Sequence, residues 1–415
     1  MRDSKRYEEC RQHIGNSIRE CIDLSREVPD EEIQSIIDGF IIGLGRSCGL
    51  SLIQRQELAK SVFYSIRKMD VLQELIDSDD VTEIMINGTD NIFVEKSGCI
   101  YQWEKHFDTK EKLEDVIQQI VAKCNRAVNE ASPIADARLE NGARVNIVLS
   151  PVALNGPIVT IRRFPNKPIL MKDLIQFGSI TEHVAEELSK LVRAGYNIFI
   201  SGGTGSGKTT FLNALSHYIP QNERIITIED SAELQLQGIP NLVRLETRNA
   251  TTEGAKEITI RDLIKSSLRM RPDRIIVGEV RGSEAVDMLQ ALNTGHDGSL
   301  STGHANSSKD MLSRLETMVL MGMDLPLSAV RRQIASGVDL IIHLGRLRDK
   351  SRRVLEITEV IGFERNEIMV KPIYRFQENG EENGRIIGSL IKENELTHIE
   401  KLLTAGEEIK KHEIY

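Results

Sequence analysis

The chain has 415 residues, of which 40% are hydrophobic and 28% are charged, and its formal net charge is -9. This length predicts two or three globular domains, and the acidic balance argues against a general nucleic-acid-binding protein, which usually carries a basic domain or stripe. The five cysteines lack metal-binding spacing and are typical of reduced cytosolic thiols. No run approaches the ~18 apolar residues of a membrane span, and the charged N-terminus lacks the apolar core of a signal peptide. We therefore expect a cytoplasmic protein, in which any role at the cytoplasmic membrane is peripheral.

The first part of the chain changes from a helical to a mixed pattern near residue 72. Residues 1–70 contain two apolar stripes at helical spacing and predict a short helical bundle, with a partner-docking module as the alternative. Residues 72–164 combine strand-like runs with an amphipathic helix at 111–128, which predicts a separate α+β domain. The two prolines of PNKPILMKDL mark residues 165–180 as a linker.

Strands and helices alternate between residues 181 and 376. Apolar runs such as RIITI, RIIVG and DLIIHL predict strands, and the amphipathic segments between them predict helices. This alternation predicts an α/β domain with a mostly parallel sheet flanked by helices, in which ligands collect at the carboxyl ends of the strands. RRVLEITEVIGF and EIMVKPIYRF predict a hairpin, and residues 377–415 predict a polar loop followed by a terminal helix.

Residues 197–217, NIFISGGTGSGKTTFLNALSH, join an apolar strand, a glycine-rich turn and a helical pattern without a gap. The turn fits G-x-x-x-x-G-K-[ST], in which glycines let the backbone approach a phosphate chain and the helix N-terminus favours the anion. Lys208 is expected to reach the β- and γ-phosphates of ATP, and Thr209 to supply an oxygen ligand to Mg²⁺. A flexible glycine loop is the alternative, which the flanking strand and helix disfavour. The predicted nucleotide-binding residues are Gly203, Thr204, Gly205, Ser206, Gly207, Lys208, Thr209 and Thr210.

Two acidic clusters follow later strands of the same domain. Glu229, Asp230 and Glu233 follow the run RIITI, and Glu279 follows the run RIIVG. An apolar strand that ends in an acid is the expected place for a water-orienting or Mg²⁺-linked carboxylate. Each acid alone is typical of a solvated side chain, but the upstream glycine loop favours catalytic roles for Glu279 and Glu229, the latter also as a metal ligand.

Histidines and arginines give further candidates. His296 and His304 flank a short strand, and they lack the spacing of a zinc site. They are either donors near a phosphate or structural hydrogen-bonding groups. Four arginines lie beside strand or hairpin ends upstream of the nucleotide domain, either as surface charges or as ligands presented to a phosphate in cis or from a neighbouring chain. These arginines are Arg138, Arg144, Arg162 and Arg163.

Together, these motifs resemble the secretion ATPase superfamily of type II and type IV systems, and most closely the CpaF branch that powers assembly of Flp (Tad) pili. The resemblance covers about residues 72–376. It rests on seven segments that occur in the order of the family. They are PIADARLENGARVN, TIRRF, GGTGSGKTT, ERIITIEDSAELQL, LRMRPDRIIVGEVRG, TGHDGSLSTGHANS and LSRLETMVLM.

The resemblance implies a RecA-like ATPase domain hinged to the N-terminal domain, in a hexameric ring with ATP between the two domains. GGTGSGKTT corresponds to the Walker A motif, TIEDSAEL to the acidic Asp box, and VGEV to an atypical Walker B motif with Glu279 as the catalytic carboxylate. The stretch 294–304 corresponds to the His box, in which Gly303 occupies a slot that often holds a bulkier β-branched residue. Arginines of the N-terminal domain approach the phosphates in such proteins, and Arg144 and Arg163 are the first candidates here.

We accordingly predict a Mg²⁺-dependent ATPase, a homo-hexameric motor that powers pilus assembly or type II/IV-type secretion. Its expected partner is an inner-membrane platform protein, without direct contact with nucleic acid. A DNA-translocating ATPase of a conjugation-like apparatus is the alternative function. A scaffold that binds ATP without hydrolysing it is the third hypothesis, which intact Lys208, Thr209 and Glu279 disfavour.

Overall fold

The computed structural model describes residues 13–15, 17–18, 21, 28–47, 50–96, 98–124, 127–139, 141–163, 168–248 and 256–407. The chain divides into two compact units, unit 1 with residues 1–166 and unit 2 with residues 167–415. In the described ranges, no helix combines the length and the apolar composition needed to cross a membrane.

Unit 1 contains the helices α1 (Asp30–Ser47), α2 (Leu52–Arg67) and α3 (Leu72–Asp77). Helix α2 begins at a capping box, in which the Ser51 hydroxyl accepts from the Gln54 N–H and the Gln54 side chain accepts from the Ser51 N–H. Helices α1 and α2 bury apolar residues at helical spacing in one cluster, which includes Ile33, Ile37, Ile41, Leu58 and Val62. The described part of the predicted bundle is therefore helical, and its residues 1–12 and 22–27 lie outside the described ranges.

A six-stranded sheet forms the rest of unit 1. Its strands are β1 (Val81–Asn87), β2 (Ile92–Lys96), β3 (Cys99–Gln102), β4 (Ile134–Arg138), β5 (Arg144–Val148) and β6 (Ile158–Arg162). They are antiparallel throughout, in the order β3-β2-β1-β6-β5-β4. Helix α4 (Lys110–Lys123) packs its apolar stripe onto the buried residues of this sheet, through Leu113, Val116, Ile117, Ile120 and Val121.

Unit 2 is built on a nine-stranded sheet. Its strands are β7 (Ile198–Gly202), β8 (Ile225–Glu229), β9 (Leu242–Glu246), β10 (Arg274–Val277), β11 (Leu300–His304), β12 (Leu340–Arg346), β13 (Arg352–Glu364), β14 (Glu367–Glu382) and β15 (Arg385–Lys392). Their order is β15-β14-β13-β12-β7-β11-β10-β8-β9. The six strands from β12 to β9 are parallel, so their carboxyl ends share one edge, and β13 to β15 are antiparallel.

Helices cover both faces of the parallel strands. They are α5 (Met171–Gln176), α6 (Glu182–Arg193), α7 (Lys208–Ser216), α8 (Ile260–Ser267), α9 (Ala285–Leu292), α10 (Ser308–Gly322), α11 (Leu327–Gly337) and α12 (Glu400–Thr404). Successive residues of β7 point to opposite faces, so Ile198 and Ile200 join the cluster with α6 and α7, and Phe199 joins the cluster with α8 to α11. The predicted α/β class with a mostly parallel sheet is confirmed.

The prediction of a polar loop after residue 376 is wrong. Residues 377–382 continue β14, and β15 returns beside them as a hairpin. Asn383 and Gly384 form the turn with φ of 51° and 74°, the positive values that a tight two-residue hairpin turn requires. Backbone hydrogen bonds between β14 and β15 stabilise this part of the hairpin without burial of side chains, so its exposed residues can be polar. In the described part of the predicted terminal helix, only Glu400–Thr404 is helical, and residues 408–415 lie outside it.

Candidate functional site

The glycine-rich loop connects the end of β7 to the start of α7. A Cβ placed on Gly202 would lie 2.5 Å from both the Leu344 carbonyl oxygen and Ser206 Oγ, so this position has no room for a side chain. Gly205 and Gly207 have φ of 70° and 93°, the left-handed region that favours glycine. The loop therefore needs glycine at these three positions, and the N-terminus of α7 that follows it favours a bound anion.

Lys208 lies buried beneath this loop. Its Nζ donates to the carbonyl oxygens of Gly202 at 3.2 Å and Gly203 at 3.0 Å, and it lies 3.3 Å from His304 Nδ1. Thr209 and Thr210 follow in the first turn of α7, and both are half-buried. The loop thus holds one cation and two hydroxyl groups at the place where a phosphate chain would bind.

His304 is the last residue of β11 and pairs in register with Gly202. Burial lowers its pKa from 6.5, and the Lys208 charge adds to this effect while Glu279 opposes it. The ring is therefore neutral at pH 7, with Nδ1 as the acceptor for Lys208 and the proton on Nε2. A Cβ on Gly303, the residue before it, would lie 2.5 Å from Met311 Cε, so a larger residue there would require the Met311 side chain to move.

Glu279 follows β10 and contacts two cationic or protonated groups. Its Oε2 accepts from Arg281 at 2.6 Å, and its buried Oε1 lies 2.8 Å from His304 Nε2, close but without the alignment of a hydrogen bond. The hydrogen bond to Glu279 is the main cause that raises the pKa of Arg281, which also lies 3.8 Å from Asp230. A continuous series of contacts thus runs from Lys208 through His304 and Glu279 to Arg281.

Glu229 ends β8 at the same edge, and its side chain is buried. Its Oε2 accepts from the N–H groups of Glu233 at 2.7 Å and Leu234 at 2.9 Å. Its Oε1 is buried without a hydrogen-bond partner among the described residues. Burial raises the pKa of Glu229 to about 7, against the effect of the two backbone donors. A buried polar oxygen without a partner is costly, so this atom suits a water molecule or a ligand.

His296 lies apart from this group. It precedes β11, and so it lies at the opposite edge of the sheet from His304, with its Nδ1 3.2 Å from the Ala291 carbonyl oxygen. Of the two roles considered for the histidines, His296 fits the structural hydrogen-bonding role. Its assignment to the catalytic group is corrected, because strand direction separates the two ends of β11.

The arginines of unit 1 take different positions. Arg163 donates through one terminal nitrogen to the carbonyl oxygens of Leu75, Ser78 and Val81, so its guanidinium holds the backbone of unit 1 together. This contact favours a structural role for Arg163, and its contact with a phosphate stays a prediction. The other three face each other across neighbouring strands in the order Arg138, Arg144 and Arg162. Glu83 on β1 pairs in register with Arg162 and ends this row of arginines with a carboxylate.

Two arginines of unit 2 were missed in the sequence. Arg281 lies two residues after Glu279, a proximity that could have identified it. Arg352 on β13 donates from Nε to the Gly205 carbonyl oxygen at 2.8 Å, although 147 residues separate them. No local pattern predicts that contact.

The fold and the side chains at its carboxyl edge define a P-loop nucleotide-binding protein of the α/β class. The chain belongs to the family described as Type II/IV secretion system protein, whose model matches residues 66–389. It is 34% identical over 313 residues to the conjugal transfer protein TrbB of Rhizobium radiobacter, a match that covers 75% of this chain and 93% of TrbB. It is 31% identical over 315 residues to the type IV secretion system protein PtlH of Bordetella pertussis, which covers 70% of this chain and 93% of PtlH. The solved structure of the pilus retraction motor PilT with bound ADP has a TM-score of 0.50 at 20% identity, covering 79% of this chain and 83% of that chain, which indicates the same fold.

Proposed function

We propose that this protein is a Mg²⁺-dependent ATPase of the CpaF type, a hexameric motor that powers pilus assembly or secretion through an inner-membrane platform protein. The observation that carries the proposal is the series of contacts from Lys208 through His304 to Glu279 at the carboxyl edge of the parallel sheet. Phosphoryl transfer requires charge stabilisation on the phosphates and a group that orients the attacking water. Lys208 and Glu279 supply these two functions, and the neutral His304 joins them.

ATP would place its phosphates against the backbone N–H groups of residues 203–210. Lys208 would then exchange the carbonyl oxygens of Gly202 and Gly203 for the β- and γ-phosphates. Glu279 would accept a hydrogen bond from the attacking water. His304 Nε2, 2.8 Å from Glu279 Oε1, would limit where that carboxylate lies and so where the water lies.

The residues at this edge fit a Mg²⁺ ion held mainly by water and phosphate. Mg²⁺ in nucleotide sites takes one or two protein oxygens and keeps several waters. The Thr209 hydroxyl and the unpartnered Oε1 of Glu229 are the oxygens that would hold it. In the part of the chain that the structure describes, no three His, Cys, Asp or Glu side chains form a metal cluster. The ion would neutralise charge on the phosphates.

An arginine of unit 1 completes the proposal. Arg144 is the central member of the row with Arg138 and Arg162, and it is proposed to reach a phosphate in its own or a neighbouring chain of the ring. An arginine placed on the transferring phosphoryl group is worth about 10³–10⁵ in rate in other NTPases. A motor in which neighbouring chains share sites would require assembly for activity.

Phosphate release per chain, measured against protein concentration while light scattering follows particle mass, tests this function. Turnover should rise as a hexamer-sized species forms, and it should disappear in Lys208→Ala and Glu279→Gln. Glu382→Gln, on the exposed hairpin of β14, is the matched control and should behave as the wild type. Full turnover in Glu279→Gln would refute the catalytic assignment. Turnover independent of assembly would refute the ring.

The DNA-translocating alternative is favoured by one observation, the similarity to TrbB, which is described as a conjugal transfer protein. The net charge of -9 counts against it, because DNA binding depends on clustered cations. Turnover measured with and without duplex DNA at two salt concentrations separates the two functions. Stimulation that falls steeply with salt would favour the DNA motor, and no stimulation would favour the pilus or secretion motor.

A further inference from the structure

The C-terminal strands of unit 2 contact the glycine-rich loop, here called the P-loop (residues 202–209), at its start and at its tip. Strand β12 runs parallel to β7 with Leu344 beside Gly202, so close that Gly202 has no room for a Cβ. The chain then turns through residues 347–351 and enters β13 at Arg352, which pairs with Arg346. From there Arg352 Nε donates to the Gly205 carbonyl oxygen at the tip of the loop, at 2.8 Å. This strand pair therefore fixes both the start and the tip of the P-loop.

The Arg352 side chain lies along the P-loop, beside Gly205 and Gly207. Its side chain is exposed, and its Cδ is 3.4 Å from the position that a Cβ on Gly207 would take. Among the described residues, Nε alone of the guanidinium nitrogens makes a hydrogen bond, and neither terminal nitrogen does. A guanidinium fork with two available donors matches the paired oxygens of a phosphate or a carboxylate.

The turn before Arg352 is rigid, which reduces the cost of using this side chain. Asp349 Oδ1 accepts from the Ser351 N–H at 2.9 Å and from its hydroxyl at 2.6 Å, and Asp349 Oδ2 accepts from the Ile386 N–H at 2.9 Å. Arg348 forms two hydrogen bonds with the Glu378 carboxylate, at 2.8 and 2.6 Å. A side chain on an ordered backbone loses less entropy when it binds a ligand.

We propose that Arg352 is a nucleotide-binding residue: its two terminal nitrogens donate to phosphate oxygens of ATP or ADP while its Nε holds the tip of the P-loop. This inference rests on the proposed nucleotide site of the same chain. It adds a cation from the C-terminal strands, separate from the arginines of unit 1 and from Lys208. Nothing in the local sequence around Arg352 marks it for this role.

Binding of a fluorescent ADP analogue in the presence of Mg²⁺, and its displacement by tripolyphosphate, tests the proposal on the full chain. Arg352→Gln should weaken both by about 10- to 100-fold, the range for one or two lost hydrogen bonds to a charged group. Arg352→Lys should fall between Gln and the wild type, because one ammonium cannot hold Gly205 and a phosphate fork together. Arg385→Gln, an exposed arginine on β15, is the matched control and should bind as the wild type does.

Steady-state ATP turnover adds a readout that a purely structural role would not give. Since phosphate contacts by Arg352 persist through the reaction, Arg352→Gln should raise KM for ATP by about 10-fold or more and change kcat by less than about threefold. Unchanged affinity for the ADP analogue in Arg352→Gln would overturn the proposal. Weaker binding of the analogue with unchanged displacement by tripolyphosphate would overturn it too, since Arg352 would then contact the base or ribose. If the wild type binds no nucleotide, or if Lys208→Ala binds it as tightly as the wild type does, the proposed function itself fails, which is a different outcome.

Discussion

Glu229 should make the stability of unit 2 fall as pH rises. Its side chain is 3% exposed, and burial raises its pKa from 4.5 to about 7 despite the two backbone donors at Oε2. Because the folded-state pKa lies above the unfolded value, the folded chain binds the proton more tightly. The stability that the protonated carboxyl contributes is complete below the unfolded pKa and is lost as pH rises through the folded pKa.

The two pKa values set the size of the effect. Ionising Glu229 should lower the free energy of unfolding by about 2.5 kcal/mol between pH 5 and pH 8. Glu229→Gln removes this titration and keeps an amide oxygen that can accept from the Glu233 and Leu234 N–H groups. The variant should therefore lose about 2.5 kcal/mol less stability than the wild type over this interval.

Urea unfolding of the full chain, followed by circular dichroism at both pH values in a buffer with chelator and without nucleotide, measures this difference. Glu246→Gln is the matched control, because Glu246 ends the neighbouring strand in register with Glu229 and is exposed. Its change in stability between the two pH values should equal that of the wild type. Equal changes in the wild type and Glu229→Gln would refute the assignment of a buried, proton-binding carboxyl at this edge.

Three further substitutions test separate contacts. Arg163→Met should lower the free energy of unfolding, measured by urea denaturation, by about 2–4 kcal/mol, because three backbone carbonyls lose their donor. Unchanged stability with lost turnover would instead support Arg163 as a phosphate ligand. Gly202→Ala should lower the free energy of unfolding by about 1–3 kcal/mol, because its Cβ would lie 2.5 Å from a carbonyl oxygen. Thermal unfolding measures this loss, and an unchanged melting temperature would contradict the clash. His304→Gln should lower kcat by about 100-fold with a smaller change in KM for ATP, and the reverse pattern in steady-state kinetics would place His304 in nucleotide binding alone.

The fold was predictable where runs and repeats of apolar residues in the local sequence correspond to buried strands and helices. RIITI and RIIVG become strands that are buried along their whole length, and their alternation with amphipathic helices is enough to predict a parallel sheet. The hairpin of β14 and β15 was missed because residues 377–382 are polar and exposed, and their strand structure depends on pairing with β15. Asn383-Gly384 was the available signal, since this pair is typical of a tight hairpin turn.

The site was predictable to the extent that strand direction determines it. Parallel strands bring Glu229, Glu279 and His304 to the edge where the P-loop opens, and the same rule, applied to the start of β11, places His296 at the far edge. The sequence gives no means to separate Arg163, which binds backbone carbonyls, from Arg144, because both follow the same kind of pattern. The role of each arginine depends on its neighbours in the folded chain, which are distant in sequence.

Charge alternates along the contacts at the carboxyl edge of the sheet, from Lys208 through the neutral His304 to Glu279, Arg281 and Asp230. A phosphate chain that draws Lys208 away from His304 Nδ1 removes one of the effects that lower the pKa of that ring. His304 would then take up a second proton, at Nδ1, more readily. The resulting positive charge would interact more strongly with the Glu279 carboxylate, which also accepts from Arg281. Under the proposed function, phosphate binding at the loop would thereby be connected, through one histidine, to the position of the Glu279 carboxylate.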